Sequence, residues 1–396
     1  MRIRFYCCIL LFFFSTSGHA GMSFEQWLQK FSAQALQAGI SKTTWQRAFA
    51  GVETPDAKVL EKAQFQPEFT LEIWDYLDSR VNRTSIGAGK IMAGLHHGTL
   101  KAIQQRFGVR PSVLLAIWSM ETGYGAVLKK TQRLHYIPRA LATLAHGDAR
   151  RRNFAEKQLI AALKILQTGD ISPVHFMGSW AGAMGHTQFI PTSYLAYGVD
   201  MDGDGRRDIW NSVADALATA SRLLHDNGWR PGRTWGYEVL LPEDGATLAE
   251  QTLTLAQWQE KGFTRVRGEA FPRPEEKAEL KLPAGPTGPA FLVLRNFFVL
   301  KRYNNSDAYA LGVGLLADRL DGYPGLATKW PRPADSLTGS EKEQLQELLR
   351  DAGYYSGEID AQIGAGTRQA IRDFQRAAGL PVDGRPSRPV LDALQR

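Results

Sequence analysis

The sequence predicts an α+β protein that is mainly helical, with a small β-containing subdomain and a separate small helical module at its C-terminus. Three observations carry this. From Phe24 to about Trp229, Ala, Leu and aromatic residues recur three and four apart, the period of helices with one buried face. From Gly232 to about Pro289 the pattern changes to alternation and to Pro and Gly. Beyond a Pro-rich stretch, Ser340 to Arg396 carries apolar residues of its own, Leu345, Leu348, Leu349, Tyr354, Ile371 and Phe374. A chain of 396 residues has room for two to three such units.

Composition narrows the function classes. With 44% hydrophobic and 22% charged residues, the chain is neither a disordered tail protein nor a polytopic membrane protein. Lys and Arg number 47 against 40 acids, a net charge of +7. That excess favours an anionic partner, with nucleic acid, acidic lipid and acidic polymer all open.

Taken in order, the chain opens on what reads as a leader. Arg2 and Arg4 precede an apolar run from Phe5 to Phe14, and Gly18-His19-Ala20 is a small-x-small cleavage signal. Residues 1–20 are therefore expected to be a cleavable signal peptide, with an uncleaved anchor as the alternative. The run is too short to span a bilayer comfortably and nothing comparable follows, so no stable membrane insertion is expected after cleavage. Cys7 and Cys8 lie early in the run, which argues against acylation at a lipobox. They are the chain's two cysteines, so the mature protein is expected to form no disulfide.

Residues 21–327 are expected to form one catalytic-size unit. Within it, Trp235 to Leu241 and Ala290 to Leu294 read as strands, and Phe271 to Pro289 as a Pro/Gly-rich connection. Asn296 to Leu320 returns to helix, with Ser306-Asp307 as a cap and Tyr309, Leu311, Leu315 and Leu316 facing inward. Residues 328–339 read as a linker and 340–396 as the terminal module.

One carboxylate stands out. In Arg110-Pro-Ser-Val-Leu-Leu-Ala-Ile-Trp-Ser-Met-Glu121-Thr-Gly-Tyr-Gly125, Pro111 suits the first turn of a helix that is almost wholly apolar and hence buried. Glu121 comes at its end, before Gly123 and Gly125. Loss of hydration among Ile117, Trp118 and Met120 favours the neutral carboxyl and lifts its pKa from about 4.3 toward about 6, as a general acid requires. The alternative is a glutamate that reaches solvent or pairs with Lys129 or Lys130. A second segment, Gly178 to Tyr194, sets three glycines, Gly178, Gly182 and Gly185, around Ser179, Met184 and Gln188, allowing a backbone to approach a ligand closely. Gln188 offers both donor and acceptor to a sugar hydroxyl or amide, while a tight interhelical turn remains the alternative. G-x-S-x-G is absent, which excludes a hydrolase nucleophile elbow.

Asp200-Met-Asp202-Gly-Asp204-Gly-Arg206-Arg-Asp208 fits the first nine positions of an EF-hand loop, with Gly205 at the sharp turn. Position twelve is Asn211 where a bidentate Glu is expected, so a calcium site and a capped, metal-free turn both stand. Such an ion would be structural. Other signals are weaker. Gly312-Val-Gly314 lies in a helical pattern with no preceding βαβ strand, so it is not a dinucleotide fingerprint. His96, His97 and His135 lack zinc spacing. Arg150-Arg151-Arg152 reads as a solvated face that could hold an anionic peptide stem.

Met120-Glu-Thr-Gly-Tyr-Gly125, Gly178 to Tyr194, Asp200 to Trp210 and Arg302-Tyr-Asn-Asn-Ser-Asp-Ala-Tyr309 come in one order, and together they resemble the membrane-bound lytic transglycosylase B family of peptidoglycan-cleaving enzymes, over roughly residues 24–325. The resemblance implies a lysozyme-like fold with Glu121 as the sole catalytic acid/base and no cofactor for catalysis. By motif position Ser179, Met184, Gln188, Tyr303 and Tyr309 line the glycan groove. It also implies an EF-hand-like calcium site with Asp200, Asp202 and Asp204 as ligands and Arg206 and Asp208 at the seventh and ninth positions. The implied reaction cleaves the MurNAc–GlcNAc β-1,4 bond and closes a 1,6-anhydro ring, where most glycosidases use two carboxylates and water.

Leu345 to Gly357, Ile359-Asp360, Gly364 to Thr367, Ala370 to Gln375 and Gly379 to Gly384 resemble the peptidoglycan-binding domain type 1 family, with Ala361 where Gly is usual. This implies a three-helix bundle that docks on the cell wall and, through the linker, raises local substrate concentration. The cleavable leader without a lipobox points to the periplasm, and the resemblances imply peptidoglycan glycan strands and other cell-wall enzymes as partners and no nucleic acid.

Overall fold

The computed structural model describes residues 22–64 and 72–396; the expected leader, residues 1–20, lies outside the described residues. Among the described residues no helix is long and apolar enough to cross a membrane.

The helix Pro111–Thr122 forms as its sequence dictates, with Pro111 in the first turn and every residue from Ser112 to Met120 buried. A helix apolar all round has to be surrounded, and it is. It packs against Asp307–Leu320 and Arg83–Leu95, with Val213–Asp226 and His97–Phe107 also touching it. Ile137–Gly147 and Arg152–Thr168 form a second close pair beside it. Phe31, Trp118, Phe176, Tyr194, Trp210 and Phe297 fill the core they share.

The β-subdomain is a five-stranded antiparallel sheet in the order Thr252–Thr254, Lys277–Lys281, Ala290–Val293, Gly236–Leu240, Thr264–Arg265. Tyr237 stands opposite Leu292 and Val239 opposite Ala290. Trp258, Phe263, Leu280 and Leu292 give it a core of its own. The two expected strands are present. Lys277–Lys281 is a strand that the sequence concealed inside a Pro/Gly-rich connection. Its Lys281 ammonium is gathered in by Glu250, Glu279 and Asp307 at 2.5, 2.7 and 3.2 Å.

The terminal module comprises the helices Gly339–Asp351, Ala365–Ala377 and Arg388–Leu394 around Leu337, Leu345, Leu349, Ile371, Val390 and Leu391. Tyr354, one of the apolar residues that set the module apart in sequence, is exposed, because the chain turns away at Gly353 (φ 81°). The linker is no free spacer. Arg332 grips Asp78 through both Nη atoms at 2.8 and 2.9 Å, Lys342 reaches Asp75 at 2.5 Å, and Arg83 reaches Glu347 at 2.7 Å. Polar pairs thus hold the module against the helix Ile73–Asp78 and the start of Arg83–Leu95.

Candidate active site

The helix bearing Glu121 stops at Gly123, whose left-handed backbone (φ 56°) no bulky residue adopts cheaply. The next turn is buttressed from below. Thr122 donates its hydroxyl to the His186 carbonyl at 2.7 Å and accepts from the Gly125 N–H at 3.1 Å. The Trp118 indole N–H donates to His186 Nδ1 at 3.1 Å, and burial holds the His186 pKa down, keeping the ring neutral and able to accept. A Cβ on Gly125 would lie 2.7 Å from that ring. These contacts fix the glycine-rich segment against the end of the Glu121 helix.

Glu121 is half-buried, and loss of hydration raises its pKa to about 7. Two groups pull the other way. The Tyr309 hydroxyl donates to Glu121 Oε1 at 2.7 Å, and the Arg80 guanidinium favours the charged carboxylate. Burial pushes the Tyr309 and Tyr303 hydroxyls well above their ordinary range, so both stay protonated donors. Ser306 caps the helix that presents Tyr309, accepting from the Tyr309 N–H at 3.3 Å. Tyr303 stacks on Tyr309 with ring centroids 6.2 Å apart and donates to the Thr187 carbonyl at 2.5 Å. Neither Lys129 nor Lys130 pairs with Glu121; Lys130 reaches Glu358 instead.

The segment from Gly178 closes on itself. Ser179 Oγ accepts from the Ala183 N–H at 2.9 Å, and Met184 and Phe189 exchange backbone hydrogen bonds at 2.9 and 3.0 Å. A Cβ on Gly178 would stand 2.3 Å from the Ala183 carbonyl. Gln188 adopts φ 51° and folds its amide onto the Gly185 carbonyl at 2.9 Å. Met184 is wholly buried, so it supports the segment from inside and lines no groove.

Glu121 opens onto a cleft of about 800 Å³. One wall is Arg80, Ser119 and Tyr124; the facing wall is Tyr354, Tyr355 and Ser356 of the terminal module. Tyr309 meets this cavity through its bond to Glu121, while Ser179, Gln188 and Tyr303 lie outside its walls. Among the described residues no second carboxylate bonds to Glu121. The other acids of the cleft, Glu358 and Asp360, come from the module, where Glu358 holds Lys130 and Asp360 accepts from Gln346 and Gln362.

Sequence reasoning missed Arg80, His186 and the module's wall. Arg80 belongs to no motif, and its buried Nε has no hydrogen-bond partner among the described residues. His186 sits inside the segment the sequence singled out, with its position after Gly185 as the only signal.

In the acidic loop Asp200, Asp202 and Asp204 bring one oxygen each within 4.8 Å of one another. Backbone N–H groups of Gly203 and Gly205 donate to Asp200 at 2.7 and 2.9 Å, which curls the loop. The Asp208 carboxylate does not join them. It accepts from the Trp210 and Asn211 N–H groups and from the Asn211 amide, all at 2.9 Å. Arg206 contributes its backbone, whose N–H donates to Asp204 at 2.8 Å. Buried Asp215 pins both ends of the loop, accepting from Met201 and Asp208 at 2.7 and 2.8 Å. Three carboxylates on a glycine turn fit a hard, oxygen-seeking cation.

Comparison with known proteins agrees with this architecture. Residues 23–318 match the transglycosylase SLT domain family, and residues 338–394 match a peptidoglycan binding domain family. The membrane-bound lytic murein transglycosylase B of Escherichia coli is 28% identical over 239 residues, 60% of this chain and 64% of that protein, so the chain spans less than two thirds of its length. The crystal structure of SltB3 from Pseudomonas aeruginosa in complex with NAG-anhNAM-pentapeptide is 45% identical, covers 95% of this chain and 100% of its own, and superposes with a TM-score of 0.76. The Escherichia coli lytic transglycosylase Slt35 in complex with calcium shares the fold at 24% identity and a TM-score of 0.64, over 76% of this chain and 95% of its own. With three quarters of its length inside the first match, the chain belongs to the transglycosylase SLT domain family and carries a peptidoglycan binding domain behind it.

Proposed function

We propose that the protein is a periplasmic lytic murein transglycosylase that cleaves the MurNAc–GlcNAc β-1,4 bond of peptidoglycan with Glu121 as its one acid and base. The observation that carries this is a carboxyl whose pKa is raised to about 7 at the floor of a cleft, with a tyrosine hydroxyl on one oxygen. Protonated Glu121 gives its hydrogen to the glycosidic oxygen as the bond to C1 of MurNAc breaks. The substrate's acetamido group stabilises the cationic carbon. Ionised Glu121, now steadied by the Tyr309 hydroxyl, takes the proton of the C6 hydroxyl as O6 bonds to C1. The products are a 1,6-anhydro sugar and a free hydroxyl on the leaving strand, and the proton returns to Glu121.

The terminal module holds the enzyme on the wall, and Asp200, Asp202 and Asp204 hold a structural calcium. Mass spectrometry of digested sacculi tests the chemistry: anhydromuropeptides are expected, whereas reducing ends would make the enzyme a hydrolytic muramidase and no release would leave a wall-binding scaffold. Glu121→Gln should cut the rate by roughly 10²–10⁴-fold while sparing sacculus binding. A variant that cleaved at the parent rate would remove Glu121 from the chemistry.

A further inference from the structure

A second cavity of about 650 Å³ lies between the β-sheet, the helix Asp307–Leu320 and the segment leading to the linker. It is separate from the Glu121 cleft, standing behind the stretch Leu77–Asn82: Leu77 and Val81 line the new cavity, while Arg80 and Asn82 line the cleft. Six arginines reach its wall. Three of them are spoken for: Arg110 by Asp321, Arg233 by Glu276 and Arg265 by Glu269. The other three are different. Arg267 and Arg319 donate to the backbone carbonyls of Gly325 and Tyr323, which orients them without cancelling their charge. Among the described residues no acid pairs with either of them or with Arg273.

The acids on the same wall are already engaged. Glu238 accepts from the Ala327 and Thr328 N–H groups at 2.9 and 2.8 Å, which orients it and leaves one negative charge against the three unpaired guanidinium groups, and Asp78 holds Arg332. Burial raises the Asp318 carboxyl to about 6, and it accepts from the Trp235 indole at 2.9 Å. The cavity therefore presents positive charge to its contents. Tyr237 and Trp330 add aromatic faces, suited to packing on peptide planes and aliphatic side chains. A neutral glycan has no use for three uncompensated guanidinium groups, whereas a carboxylate meets each of them in a fork-shaped pair.

We infer that this cavity binds a short peptide carrying several carboxylates, the chemistry of a peptidoglycan stem, at a site distinct from the Glu121 cleft. This rests on the peptidoglycan reading for the source of the peptide, but on the cavity alone for its charge.

The test is titration of the full chain with L-Ala-γ-D-Glu-meso-diaminopimelate, read by tryptophan fluorescence, since Trp235 and Trp330 both line the cavity. Saturable binding is expected, weakening with salt and absent for the fully esterified peptide. Arg273→Gln breaks no side-chain hydrogen bond of the described structure, so it should keep the parent melting temperature and weaken the peptide by about tenfold, with Arg273→Gln/Arg319→Gln weaker still. Lack of saturable binding, equal binding by both variants, or equal binding of the esterified peptide would each overturn the inference. Displacement by inorganic phosphate as effective as by the peptide would overturn the carboxylate assignment in favour of a general anion site. Cleavage of stem-free glycan, which needs Glu121 and not this cavity, keeps the two conclusions apart. Cutting without peptide binding sinks the inference alone, and peptide binding without cutting sinks the proposed reaction alone.

Discussion

Protonated and ionised Glu121 are favoured by different neighbours, and the site supplies both kinds. Burial holds the proton on, while Tyr309 and Arg80 stabilise the charge once it has gone. Activity that needs the acid form should fall as pH rises through about 7, measured as kcat/KM on purified sacculi. Tyr309→Phe removes a donor to the carboxylate, so the falling limb should move to higher pH while the rate drops roughly 10- to 100-fold. The same carboxyl carries a stability signature. Folded Glu121 holds its proton up to about pH 7, whereas an unfolded glutamate releases it near the ordinary 4.5. Between those values the folded chain binds the extra proton, so raising pH across that window costs stability, up to roughly 1–3 kcal/mol. Glu121→Gln should therefore melt above the parent at pH 8 and level with it near pH 4, by calorimetry. The raised pKa of Glu121 was legible because its helix is apolar on every side, which favours burial of an acid there, although a glutamate reaching solvent or a lysine stayed open until the fold was seen. Arg80 was not, since it meets Glu121 only through the fold.

At the scale of elements, tight backbone packing makes its own demands. Gly178→Ala would drive a methyl group against the Ala183 carbonyl at 2.3 Å and Ile137 Cδ1 at 2.6 Å, and should cost about 1–3 kcal/mol in urea denaturation. The acidic loop should respond to calcium. Added ion is expected to raise the melting temperature, by about 2.7 kcal/mol of stabilisation at a hundredfold excess over Kd, and Asp200→Asn/Asp204→Asn should abolish the rise. Spacing placed Asp208 at a ligand position, yet Asn211 and two backbone N–H groups draw its carboxylate away. Repeat position is visible in a sequence; the local competition for a side chain is not. Lys277–Lys281 teaches the same lesson. Its charged ends hid a strand because the acids that neutralise Lys281 are Glu250, Glu279 and Asp307, two of them far along the chain.

Across the whole molecule, the composition shift at Gly232 and the Pro-rich stretch before Ser340 each precede a stretch with a hydrophobic cluster of its own, but the mutual arrangement of those clusters had no local signature. The Pro-rich stretch suggested slack; Arg332 and Lys342 remove it by reaching Asp78 and Asp75. Asp78→Asn removes the charge and one of the two oxygens that accept from a largely buried guanidinium, and should loosen the docking by about 3 kcal/mol or more, read as faster tryptic cutting after Lys329. A chain ending at Trp330 should keep its fold, lose pelleting with sacculi, and lack one face of the cleft. Tyr354, Tyr355 and Ser356 line the same cleft as Glu121, so on the proposed function grip and blade share one cavity. An enzyme built that way would trim only the strand directly beneath it and would have to let go before working elsewhere.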